Sequence, residues 1–156
     1  MNRDAVLTNL ESFVVRAKSR TYVGSGPKLL PYRLGSQDLQ YAEGDWVYHD
    51  SYFGNSDFAG QEVVYYQGTP VWVQNYFGYL IRPDRITAAE AGAMIKESLT
   101  AMYREGRFLG GFTYASGDLT YVDTSEGDVF RFQGQEWILR DGERVYTLRY
   151  HGGLVR

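Results

Sequence analysis

Apolar residues fall at helical spacing in two stretches of the chain. Val6, Leu7, Leu10, Phe13, Val14 and Ala17 recur at i, i+3, i+4 and i+7, which predicts an amphipathic helix over 4–18. A second stripe, Ala91, Ile95, Leu99 and Met102, predicts a helix over 88–104. Thr87 and Glu90 stand at capping-box spacing at its start, where each side chain satisfies the other's backbone donor, and Gly106 stops it. Elsewhere the period drops to two, with turn residues at hairpin spacing in Glu43-Gly44, Gln67-Gly68, Gly117-Asp118 and Asp141-Gly142. Antiparallel strands are therefore predicted near 38–42, 45–53, 59–66 and 70–79, and again near 111–115, 118–124, 129–140 (broken at Gly134) and 144–151.

The strand regions resemble one another. Tyr41-Ala42-x-Gly44-Asp45-x-x-Tyr48-x-Asp50 returns as Tyr114-Ala115-x-Gly117-Asp118-x-x-Tyr121-x-Asp123, and Phe58-x-Gly60-Gln61-Glu62 returns as Phe132-x-Gly134-Gln135-Glu136. Over 39–54 and 58–78 there are 15 identities in 37 positions, where chance gives about three. The expected fold is α+β: one domain, 1–156, made of a tandem duplicated unit (1–81 and 82–156). Each unit is one helix followed by about four antiparallel strands, and the two helices pack on antiparallel sheet. The main asymmetry is a loop, 21–37, rich in Gly and Pro, and loops of that length in compact domains are usually functional or disordered.

Composition narrows the function classes. Zero cysteines exclude disulfides and thiol chemistry. A net charge of -3 disfavours nucleic acid as a partner of this chain by itself. There is no apolar run of the roughly 18 residues a membrane span needs, and no leader pattern, so a cytoplasmic location without membrane contact is expected. Only two histidines, His49 and His151, are present and not at ligand spacing, so neither metal nor cofactor is expected. Phosphate-loop and nucleophile-elbow motifs are lacking as well.

Repeated residues read first as structure. Asp45 and Asp118 follow turn glycines and suit Asx-type caps. Tyr48 with Asp50, and Tyr121 with Asp123, share a strand face and suit hydroxyl–carboxylate bonds within each pair. Glu62 and Glu136, equivalent acids in the two halves, are the pair that could serve acid/base work, against a plain backbone-bonding role at a strand start near a bulge. Trp72 and Tyr76, with Tyr146 and Tyr150, line one face as core or as a stacking platform.

The run Arg33-Leu34-Gly35-Ser36-Gln37-Asp38-Leu39, with Asp50-x-Tyr52-x-Gly54, Phe58-x-Gly60-x-Glu62, Pro70-Val71-Trp72 and Asn75-Tyr76-x-Gly78, resembles a bacterial domain family of unknown function. That resemblance implies a domain found alone or behind helix-turn-helix regulators, and hence sensing or partner binding. It assigns no catalytic residue. Its signature places a binding site at Arg33, Ser36, Asp38, Glu62, Trp72 and Asn75, under the 21–37 loop. The leading expectation is a non-catalytic module for a small molecule or protein partner. A small hydrolase or isomerase using Glu62 with Glu136 or Asp38, and a homodimer built through a strand edge or aromatic face, are the alternatives.

Overall fold

A computed structural model describes residues 3–24 and 26–156, with side chains from Val6 onward; Ser25 of the long loop lies outside the described residues. Helix α1 (Arg3–Arg20) precedes β1 (Lys28–Leu29), β2 (Gln37–Glu43), β3 (Trp46–Gly54), β4 (Phe58–Tyr66) and β5 (Thr69–Leu80). Helix α2 (Ala88–Tyr103) precedes β6 (Phe112–Ser116), β7 (Leu119–Asp128), β8 (Arg131–Arg140) and β9 (Glu143–Leu154). The protein is α+β, with one nine-stranded sheet in the order β1-β2-β3-β4-β5-β9-β8-β7-β6, antiparallel throughout. Strands that follow a helix pair in sequence order, and the two meanders join where Tyr76 of β5 lies opposite Tyr150 of β9.

Local chemistry accounts for the elements. The Thr87 side chain accepts from the Glu90 amide and Glu90 reciprocates at the start of α2, while Arg104 ends the helix and Gly106 takes φ +77°, open to glycine at little cost. The apolar stripes of both helices enter one buried cluster with strand residues: Leu10, Phe13 and Val14 of α1, and Met94, Ile95 and Met102 of α2, join Tyr48, Val64, Trp72, Tyr121, Ile138 and Val145. Phe13 stacks on Trp46 at 5.1 Å between ring centroids.

The structure corrects three expectations. Strand β8 is not broken at Gly134, which pairs with Tyr150 in a continuous ladder; the irregularity falls between Ile138 and Leu139. Glycine is needed there because a Cβ would stand 2.1 Å from Cζ of Tyr150, just as one on Gly60 would stand 2.4 Å from the Tyr76 hydroxyl. Each repeated glycine is thus the seat of a tyrosine ring from the facing strand. Asp45 accepts from the Gln67 side chain at 3.0 Å and Asp118 pairs with Arg140 at 3.0 Å, so both bond to a neighbouring hairpin instead of capping their own turns. Strand β1, two residues within the Gly/Pro-rich loop, had no periodic signal to announce it.

Candidate functional site

Alternate residues of a strand face opposite sides, and this rule sorts the candidate residues into two groups. Asp50 lies opposite Glu62 and Ser51 opposite Gln61 and Asp38, so Asp38 and Glu62 belong to opposite faces of the sheet. On Asp38's face, residues 32–36 of the loop fold over β3. The buried Asp38 carboxylate accepts from Ser36 Oγ at 2.5 Å, from the Tyr32 amide at 3.2 Å and from His49 Nε2 at 2.6 Å. Burial opposes its charge, but the bonds from Ser36, His49, Tyr32 and Ser51 outweigh it and hold the acid down at about 2. Since the acid is ionised, His49 Nε2 carries the proton. Arg33 reaches Ser51 Oγ at 3.2 Å and lies 4.7 Å over the Phe53 ring. Asn75 is on this face too, bonded to Gln61 at 2.8 Å and 3.2 Å from His151.

Glu62 faces the helices, where the sheet floors a cavity of ≈ 300 Å³. From α1 comes Lys18; from α2 and beyond come Ile95, Leu99, Met102, Tyr103 and Phe108. The rim includes Tyr22, Val23, Lys28 and Gln37 of the long loop with Tyr52 and Asn55. The loop therefore serves both faces: its ends border the cavity and its middle covers Asp38. Trp72 is fully buried beside the cavity without lining it, its ring stacked on Phe132 at 5.7 Å and its Nε1 donating to the Val129 carbonyl at 2.8 Å. Of the six residues expected to form a binding site, Arg33, Ser36 and Asp38 meet in one cluster, and Glu62, Trp72 and Asn75 stand apart from it.

Four buried carboxylates line the cavity, two from each meander: Asp50 opposite Glu62, and Asp123 opposite Glu136. Their tyrosine partners lie across strands, not within the Tyr48/Asp50 and Tyr121/Asp123 pairs as the spacing predicted. Tyr48 donates to Glu62 and Tyr76 to Asp50 at 2.7 Å. In the other half Tyr121 donates to Glu136, Tyr146 to Glu136 at 3.0 Å and Tyr150 to Asp123 at 2.7 Å. Glu62 and Glu136 sit within strands, bonded to side chains, where a strand-start role had been expected.

The halves differ around the glutamates. Besides Tyr48, Glu62 accepts from Lys18 Nζ at 2.6 Å and from Gln74 Nε2 at 2.8 Å, whereas the side-chain donors to Glu136 are two tyrosine hydroxyls. Desolvation pushes Glu136 up to about 7, its two tyrosine bonds opposing the rise. Asp123 is raised to about 6 by burial, against the pull of the Tyr150 bond, Arg107 and Lys18. Asp50 is raised by burial first and by the Glu62 charge next. Sequence reading missed Lys18, Gln74, Asp50 and Asp123 as members of one site. Lys18 left a signal: four residues after Val14, it continues the apolar stripe of α1, and a lysine on a buried face needs an acid.

Among the described residues no three His, Asp or Glu side chains are placed to hold a metal ion, and no helix is long and apolar enough to cross a membrane. Fold and site define an α+β protein whose single antiparallel sheet carries an acid-floored, tyrosine-lined cavity beneath two helices. The family model described as "Domain of unknown function (DUF5680)" matches residues 50–155, and the chain belongs to that family. No curated protein and no solved structure matches it.

Proposed function

We propose that the protein is a non-catalytic binding module whose ligand, a small molecule, occupies the cavity between helices and sheet. The carrying observation is the cavity itself: ≈ 300 Å³, at the lower end of the size of small-molecule sites, apolar toward the helices with polar groups gathered on its floor. The long loop contributes to its rim, which suits a segment that yields to ligand entry. A sensing role, as the family resemblance implies for domains joined to regulators, would read out that occupancy. The two-fold likeness of the floor favours descent from one duplicated helix-plus-meander unit: the repeat-equivalent Tyr76 and Tyr150 face each other, each bonded to the equivalent acid.

The test is a thermal-shift screen of small molecules on the full chain and on Leu99→Trp, which fills the cavity from α2. Hits that stabilise the parent and lose their effect in the variant are expected. Hits that act equally on both would remove the cavity as the seat.

A second reading is favoured by the raised acids: Glu136 near 7 and Asp123 near 6 are poised for acid/base transfer at neutral pH. Within it Glu62 can act only with acids of its own face, which removes Asp38 as its partner. Turnover of a screening hit that disappears in Glu136→Gln while binding persists would make this reading the correct one.

A further inference from the structure

We propose that the cavity's ligand is a small organic cation, an ammonium or guanidinium group carried on an apolar body; this rests on the cavity being a ligand seat. The floor is rich in acceptors, and its tyrosine hydroxyl donors are already committed. The hydroxyl protons of Tyr48, Tyr76, Tyr121, Tyr146 and Tyr150 all go to the four carboxylates. Lys18 and Gln74 Nε2 both serve Glu62. Two further acceptors, Gln74 Oε1 and Asp123 Oδ2, have no partner among the described residues, although their residues are only 7% and 4% exposed.

A buried acceptor without a donor costs free energy, so a native structure that keeps two in one cavity calls for a ligand that brings donors. The Gln74 amide cannot turn round to supply one, because its nitrogen is held by Glu62 at 2.8 Å. At pH 8, above the titration of Asp123 and Glu136, an anionic ligand would meet these ionised acids and one lysine that is already paired. A cation instead gains charge-assisted bonds and the negative faces of the tyrosine rings. A metal ion would need several of these acids to converge, and among the described residues they do not; an ammonium or guanidinium spreads its N–H groups over separated acceptors. Ile95, Leu99 and Phe108 above the floor suit an apolar body on the same molecule.

The experiment titrates phenethylamine, 2-phenylethanol and phenylacetate into the full chain at pH 8 by isothermal calorimetry, in parallel with Leu99→Trp. The amine should bind at least about tenfold tighter than the alcohol, and phenylacetate should not bind. Asp123→Asn with Glu136→Gln should weaken the amine by about tenfold or more and the alcohol by clearly less; Asp123→Asn alone serves if the double variant melts early. Should the alcohol or the acid match the amine, with Leu99→Trp blocking it, the cation assignment fails and the cavity stands as a neutral or anionic seat. Absence of binding by all three probes overturns both.

Discussion

At the scale of single residues, burial and partner number separate Arg33 from Asp38 and Trp72. Trp72 is fully buried and holds the Val129 carbonyl, so Trp72→Ala is expected to lower stability by about 3–5 kcal/mol in urea unfolding. Arg33 is exposed on the loop, and Arg33→Ala should cost less than about 1 kcal/mol in the same measurement. Asp38→Ala strands the Tyr32 amide and a protonated His49 nitrogen at once. A loss of about 3 kcal/mol is expected, with faster hydrogen exchange at the Tyr32 amide as loop 32–36 lifts from β3. The sequence reading singled these residues out alike; whether a side chain anchors a loop, fills a core or lines a cavity depends on neighbours distant along the chain.

At the scale of elements, the pattern alone located both helices and the eight longer strands to within a few residues, because periods of 3.6 and 2 and the turn glycines act locally. It failed where a neighbour decides. Gly134 looked like a strand breaker, yet it gives Tyr150 room to lie across β8 and reach Asp123. Gly134→Ala and Gly60→Ala should each destabilise by about 2 kcal/mol or more, since the ring must leave its seat. Near-ultraviolet circular dichroism should show the loss of tyrosine order. An unchanged midpoint for both would refute the ring-seat account. The partners of Tyr48 and Tyr121 were misread for the same reason: spacing shows which side chains share a face, but the acid nearest a hydroxyl is fixed by the register of the adjacent strand.

At the scale of the molecule, the acids on the two faces pull pH dependence in opposite directions. Asp38 is depressed, so its contribution is complete above the ordinary range near 4 and is lost as pH falls through about 2. Asp123, Glu136 and Asp50 are raised, so their contribution is complete below about 4 and is lost as pH rises through 6 to 7 and beyond. Between pH 5 and 8 the second effect acts alone among these groups. Stability should fall over that interval by at least about 2 kcal/mol, read as a melting temperature that is lower at pH 8. Asp123→Asn with Glu136→Gln should flatten the slope; a parent curve that rises with pH would show that the cavity acids are not held up by burial.

The sequence by itself determined the elements, their order and the likeness of the two halves, because helix stripes, strand alternation, caps and turn glycines are written within a few residues of one another. It also pointed to Glu62 and Glu136 as equivalent acids. Only the tertiary structure decided that β5 pairs with β9 in one sheet, that Asp38 and Glu62 lie on opposite sides of it, and that Lys18, Gln74 and four carboxylates surround one cavity. Those relations arise from contacts between residues 12 to 82 positions apart, which no local pattern encodes.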